Sequence, residues 1–430
     1  MNRWTLALIM FVSAVLGTQA VPCRADTTAQ EVEEANSLDS SLVTPHKPWG
    51  RGYVGGPVRT LMFVYTGPYE GAWEDTGTRV REAVELIERF DLQADAVLVC
   101  GKGEGQWTFH GQKLGEDRAE RLLGKPYQLY IIAGFPMEKL PAKMQYLVLK
   151  QVAEGAGLVC CGPGAREYMV ARRRVDPAPA FLTASLPTLG DKPLVETISA
   201  YNLGKGRGVW LNWSTRSFVP WQEFSIRGLN QLDYWMMVVG RAALWAAGRE
   251  GEVTVDSVPS ALPFGINRAE QANMGEVTIS SRAQRPVQAT VELELRRASD
   301  GLKTDLGAQQ VTLPPGETVS VPVSLPRLRA GDYFVDAVVK SGRGVEAFGA
   351  GSLVVESDFG VEQVTLNASF VEVGEIIGGS VSLRGEPPAG SALRISLRDC
   401  YGRLLKQQEA PVAGGQAQPV FEWEALPFFT

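Results

Sequence analysis

The hydrophobic period of this chain changes once, near Val253, and no other feature limits its fold as strongly. Before that point short apolar strands alternate with amphipathic helices. After it the helices vanish and apolar residues recur at every second position. Such a chain cannot close around one core. Its first part must be layered α/β and its second part sheet packed on sheet. With 430 residues there is length for about three domains of ~150 residues each.

In the first part, Thr60–Tyr65 is a continuous apolar run, the mark of a strand covered on both faces. Asp75 and Thr76 offer N-caps for a helix that places Val80, Ala83, Val84 and Ile87 on one side. Further strands are predicted at Ala94–Cys100, Tyr127–Ala133 and Ala156–Cys161. Pro141 opens a helix with Met144, Leu147, Val148 and Val152 inward, and Gly155 ends it. The glycine turn Gly204–Gly208 leads into an apolar strand up to Trp213. Gln231–Ala247 then forms a helix with Leu232, Trp235, Met236, Val239, Ala243 and Ala246 at helical spacing. Over 53–250 this predicts a mostly parallel sheet with helices on both faces.

From Val253, strands are predicted at Met274–Ser280, Val287–Arg296, Thr318–Leu325, Asp332–Lys340 and Val345–Glu356. Their number and spacing predict an immunoglobulin-like sandwich over 253–357. A second series follows over 360–430: Val361–Val373, Ser380–Arg384, Ala392–Cys400, Arg403–Gln408 and Val420–Trp423, with a hairpin turn at Asp399–Gly402. This last unit is short of the ~100 residues of a complete sandwich, and it stops on the apolar stretch Ala425–Thr430. A sandwich without its closing strand would leave an open edge, so this unit is expected to be incomplete.

The amino terminus reads as a signal peptide over 1–25: Arg3, an apolar core from Leu6 to Leu16, and small residues at Ala20 and Ala25 where cleavage fits. That core is shorter than the ~20 residues a membrane span needs. Pro22 argues against lipid modification of Cys23. Residues 26–52 are polar, then rich in Pro and Gly, and are expected to be a flexible lead-in. The mature chain should be exported, secreted or periplasmic, with no membrane span. Its net charge of -6 leaves no basic stripe, so no nucleic-acid partner is expected. The cluster Arg172–Arg174, with Arg166 nearby, reads as a solvated face, or else as an anion or partner contact.

Cys160 and Cys161 end a strand that runs into Gly162-Pro163-Gly164, the local shape of a nucleophile elbow. A cysteine nucleophile needs an imidazole to take its proton. Both histidines of the chain, His46 and His110, lie upstream. The five cysteines show no CxxC spacing and the chain holds no HExxH, so buried apolar thiols are expected, and neither a metal nor a cofactor. The loop Gly101–Gln106 follows a strand but fits neither dinucleotide nor P-loop spacing. Trp210, Trp213, Trp221, Tyr234 and Trp235 are open to two readings: core packing, the commoner fate of aromatics at these spacings, or a platform for a glycan.

Over about 53–250 the chain resembles the class I glutamine-amidotransferase-like domain, in the form found in β-galactosidase trimerisation domains and large secreted bacterial proteins. The residues that carry the resemblance run in order: Tyr127–Ala133, Leu140-Pro141, Glu154–Val159, Gly162-Pro163-Gly164, Gly204-Lys205-Gly206-Arg207 and Arg241–Arg249. It implies a flavodoxin-like fold. Active members carry a Gly-x-Cys-x-Gly elbow and a later His-x-Glu pair. Here the elbow reads Val159-Cys160-Cys161-Gly162-Pro163 and no later histidine exists. What the resemblance implies is a domain that kept the fold and lost the triad, with a role in assembly, homo-oligomers included. The expected function is a non-catalytic scaffold or interaction segment of an exported multidomain, carbohydrate-related protein. The alternatives are a carbohydrate-binding module and the front part of a larger glycoside hydrolase. A hydrolase using either thiol with a carboxylate base is disfavoured, because a carboxylate is a poor base for a thiol of pKa ~8.5.

Overall fold

A computed structural model of the protein describes residues 29–35, 47–68, 80–101, 107–162, 173–189, 192–213, 219–220, 226–262, 273–326, 328–356, 359–387, 389–398, 403–412 and 420–424. The expected signal segment, the Asp75 and Thr76 caps, the loop at 102–106, Arg166, Arg172, Trp221, the turn at 399–402 and the stretch 425–430 lie outside the described residues.

The first unit contains α1 (Ala29–Ala35), β1 (Val58–Pro68), α2 (Val80–Phe90), β2 (Leu92–Gly101), β3 (Trp107–Phe109), α3 (Lys113–Leu123), β4 (Leu129–Ala133) and α4 (Ala142–Glu154). It continues with β5 (Gly157–Cys161), β6 (Arg173–Val175), α5 (Ala180–Thr183), β7 (Thr188–Leu189), β8 (Lys192–Pro193), β9 (Ile198–Leu203), β10 (Gly206–Leu211) and α6 (Ile226–Ala246). One eight-stranded sheet runs β3-β2-β1-β4-β5-β10-β9-β6. Its centre, β2-β1-β4-β5-β10, is parallel throughout. In chain order of the parallel strands, that centre reads second, first, third, fourth, fifth. Antiparallel strands flank it: β3 on one side, β9 and β6 on the other. The sheet is therefore mixed, where a mostly parallel one was expected. The antiparallel members escaped notice because β3 and β6 are three residues each and carry polar neighbours. Arg173 and Arg174 of the basic cluster sit exposed on β6 at the sheet's edge.

Helices cover both faces. α3 and α4 bury Ala119, Leu122, Met144, Val148 and Val152 against one side of the sheet. α2 and α6 bury Ala83, Leu86, Phe90 and most of α6 against the other. α4 keeps its expected bounds. Pro141 sits at its N-cap, and Gly155 takes φ 132° so that its N–H can reach the carbonyls of Gln151 and Val152. α2 departs from expectation. Val84 and Ile87 are half-buried, while Glu82, Glu85 and Arg89 are buried beside Leu86 and Phe90.

The second unit explains that departure. It comprises β11 (Val253–Ser257), β12 (Ala261–Leu262), β13 (Asn273–Ser281), β14 (Val287–Arg297), β15 (Lys303–Leu313), β16 (Thr318–Leu325), β17 (Gly331–Ser341) and β18 (Gly344–Val355). Two sheets, β11-β13-β16 and β12-β18-β17-β14-β15, close on a core of Val255, Val277, Ile279, Val291, Leu293, Val335, Ala337 and Leu353. A half-buried strand should alternate, yet β17 and β18 each bury a run of consecutive residues. The reason is that the second face of this sheet packs on α2 and α6. Phe334, Val338, Phe348 and Ala350 belong to the same apolar cluster as Phe90, Tyr234 and Met236.

The lead-in expected to be flexible is packed where it is described. Trp49 is wholly buried, and its Nε1 donates to the carbonyl of Asp233 at 2.7 Å. Tyr53 bridges to Val345 at the edge of β18, and its hydroxyl accepts the Gly251 N–H at 2.5 Å. Upstream, Val32 of α1 is buried, and Glu33 pairs with Arg118 and Arg121 of α3. Apolar and aromatic residues scattered through a polar stretch hold it down, which composition alone did not reveal.

The last unit holds β19 (Gly360–Leu366), β20 (Ile376–Arg384), β21 (Ala392–Arg398), β22 (Leu404–Pro411) and β23 (Val420–Glu424), in sheets β19-β20-β23 and β21-β22. β19 ends at Leu366, short of the expected Val373. Among its described residues the deeply buried apolar side chains are Val381 and Phe421, while Val361, Val364, Phe370 and Val373 are exposed.

Candidate functional site

The carboxyl edge of the parallel strands is where a sheet of this order places ligands and nucleophiles. β5 ends there in Cys160 and Cys161, which are laddered on both sides: Cys160 opposite Ile132 and Trp210, Cys161 opposite Ala133 and Leu211. The turn begins only at Gly162, with φ 86°. Both thiols are thus strand residues and point to opposite faces, Cys160 toward α3 and α4, Cys161 toward α2 and α6. Burial, with a smaller push from Glu138, raises the Cys160 pKa to about 12. Burial likewise lifts Cys161 well above the ordinary thiol value, and the nearby Cys160 and Glu82 add to it. Cys100, on β2, is also buried and raised by burial, against a 3.3 Å contact with the Thr66 hydroxyl. A thiol held protonated is a poor nucleophile.

His110 follows β3, and β5 lies four strand spacings from β3, about 19 Å at ~4.8 Å per step. That is far beyond the reach of an imidazole. His46 lies outside the described residues.

Of the aromatics singled out in the sequence, the four described residues are not brought to one exposed face. Trp213 and Trp235 pair edge to face at 5.7 Å, each 7% exposed, in the core beneath α6. Tyr234 is wholly buried on the sandwich side, 4.3 Å from Phe334. Trp210 lies half-buried on the opposite face of the sheet, its Nε1 bonded to the Gly162 carbonyl at 3.0 Å. Packing accounts for these four.

Two features were missed by the sequence reading. The first is a buried charge network in the joint between the α/β unit and the first sandwich. Asp233 of α6 accepts from Arg89 of α2 at 3.0 Å and from Arg296 of β14 at 2.6 Å. Asp336 of β17 accepts from Arg296 at 3.4 Å, from Lys47 at 3.1 Å and from the Tyr234 hydroxyl at 3.0 Å. Lys47 also reaches Glu294 at 3.2 Å, and Glu85 pairs with Arg89. Arg241 crosses the joint as well, donating to the carbonyls of Ala184 and Phe348. The available signal was weak: charged residues at inward positions of a helix and of two strands.

The second is a crevice of about 300 Å³ at the carboxyl ends of β2 and β4. The buried Val99, Phe109 and Leu140, the half-buried Trp107 and the charged Lys113, Glu116 and Lys139 line it. Trp107 stacks obliquely on Tyr65 of β1, centroids 4.8 Å apart, and on Phe135 beyond β4, at 5.5 Å.

No protein-family model matches the chain, and no curated protein matches it. Among solved structures, partial likenesses include the red sea bream transglutaminase, at 14% identity and TM-score 0.23, covering 46% of this chain and 31% of that one. The CARDB domain of a Pyrococcus furiosus protein in complex with di-metal ions gives 20% identity and TM-score 0.17, covering 24% of this chain and 85% of that domain. A GH2 β-galacturonidase from Eisenbergiella tayi gives 13% identity and TM-score 0.21, covering 33% of this chain and 22% of that one. This chain thus spans less than a third of the transglutaminase and of the galacturonidase. At such scores the overlap is piecewise and decides nothing about what the chain does.

Proposed function

We propose that this chain is a non-catalytic scaffold segment of an exported, carbohydrate-related multidomain protein, built on an amidotransferase-like domain that has lost its catalytic apparatus. The parallel order second-first-third-fourth-fifth is that of flavodoxin-like folds and supports the domain reading. For the second unit, the sheet orders match an immunoglobulin-like sandwich, with β14, β17 and β18 in the places of its C, F and G strands. Tyr333 opens β17 and donates to the Arg329 carbonyl at 3.0 Å, as a tyrosine corner does. Buried thiols raised in pKa, with no imidazole in reach among the described residues, support the loss of chemistry.

The observation that carries the scaffold reading is the sealed joint. A shared apolar cluster and a buried charge network hold the α/β unit and the first sandwich in one fixed orientation. Enzymes that work by domain closure need the opposite. Hydrolysis by this chain that vanishes on Cys160→Ala or Cys161→Ala would overturn the reading. Hydrogen exchange in which the two units open independently would also overturn it.

The front part of a larger glycoside hydrolase is the second reading, favoured by the thin packing around Val381 and Phe421 in the last unit. Glycosidase activity of the native product separates the two, since the second reading requires it and the first does not.

A further inference from the structure

We infer that the crevice beside Trp107 is a binding site for a single acidic sugar, a uronate. The inference deepens the carbohydrate-related part of the function proposed above and rests on it. β1 is the strand from which the chain first goes to β2 on one side and later to β4 on the other. The segments that leave those two neighbours converge over the carboxyl end of β1. Trp107, paired with Gly101 at the end of β2, touches Tyr65 of β1 and Phe135 beyond β4. The crevice therefore opens at the carboxyl end of the parallel strands, the end at which open α/β sheets bind ligands. Two wider hollows, about 400 and 480 Å³, open at the amino ends of β1 and β2, where that rule places no ligand.

The lining sets the chemistry. At about 300 Å³ the crevice is at the small end of the ~300–1,000 Å³ typical of ligand pockets, so it takes one ring with its substituents. Trp107 is half-buried, packed on Tyr65 and Phe135, and offers an aromatic wall beside the apolar Val99, Phe109 and Leu140. The apolar C–H face of a pyranose packs on such a wall, while its hydroxyls need both donors and acceptors at the rim. Glu116, Thr108 and Gln112 supply them. The charges at the rim are unequal. Lys113 is engaged by Glu116 at 3.3 Å and Asp117 at 2.9 Å. Lys139 has no carboxylate partner among the described residues, is exposed and lines the crevice. An uncommitted ammonium lining the same crevice as an aromatic ring selects a sugar that carries its own carboxylate over a neutral one.

Saturation-transfer NMR on the full chain tests this with galacturonate, glucuronate, galactose, glucose and inorganic phosphate as separate probes. Transfer to the ring protons of the uronates is expected, with their affinity about tenfold weaker in Lys139→Gln. It should be lost in Trp107→Ala. The far-ultraviolet spectrum and unfolding midpoint of each variant show whether it has kept its fold. Lys139→Gln, an exposed change, keeps the test open if Trp107→Ala does not fold. Equal binding of the neutral sugars, unchanged by Lys139→Gln, overturns the acidic-sugar assignment. Phosphate binding without uronate binding overturns it too, and silence from every probe overturns the site. If the joint still unfolds as one body in that last case, the scaffold reading stands and this inference alone fails.

Discussion

Asp233 stands between two guanidinium groups that belong to different domains. A carboxylate there costs desolvation and is stable only because Arg89, Arg296 and the Lys47 amide satisfy it. Asp233→Asn leaves two buried arginines facing a neutral group. The expected loss is roughly 3 kcal/mol, the low end for breaking a buried pair, since Glu85 and Asp336 remain. Urea denaturation of the variant measures it. The thiols give a second prediction at this scale. Burial raises the Cys160 pKa from an ordinary 9.0 to about 12. The unfolded chain therefore releases this proton first. The contribution of Cys160 is whole below about pH 9 and is lost as pH rises toward 12. Stability should fall along that limb, by about 1.4 kcal/mol per pH unit for each proton retained. Cys160→Ala should flatten the fall, which unfolding midpoints between pH 8 and 11 would show. Native alkylation of Cys160 and Cys161 should wait on unfolding, by the same burial.

At the scale of elements, α6 shows how packing can reverse a propensity. Gly240 lies in the middle of this helix, where alanine normally stabilises by about 1 kcal/mol. A methyl group here would collide with the ring of Phe90, which seals α2 on α6. Gly240→Ala is expected to destabilise by about 1–3 kcal/mol. A raised thermal midpoint would contradict this packing. The same contact marks what the sequence could and could not reveal. β1, β4, β5, α4 and α6 were legible, because long apolar runs and clear helix stops depend on local pattern alone. The inward face of α2 was not. Glu82, Glu85 and Arg89 read as solvated positions, and only the face of a distant sandwich makes their burial tolerable. Strands β17 and β18 carried a faint signal in Tyr333–Val339 and Ala347–Gly351, which, Asp336 apart, are without charged residues on either face. Set among alternating strands, it passed for ordinary sandwich pattern. The crevice was illegible for a related reason: Trp107, Glu116 and Lys139 come from β3, α3 and the segment between β4 and α4, none of which the sequence pattern marked.

For the whole molecule, the joint predicts how the chain comes apart. Residues 47–355 should unfold in a single transition, with the last unit melting separately and at lower temperature, because its described residues bury so little. Differential scanning calorimetry would resolve this, and separate transitions for the α/β unit and the first sandwich would refute it. A fragment ending near residue 250 should be unstable alone, since it would bare Trp49, Phe90, Tyr234 and the charges of Arg89 and Asp233. There is a consequence for inheritance. Gene fusions spread domains by cutting at permissive joints, and the place where the hydrophobic period changes looks like one. A crossover there would strand half of an ion network in each descendant. The cut this architecture tolerates is near Val355–Gly360, so the α/β domain and its first sandwich must pass from gene to gene as one piece.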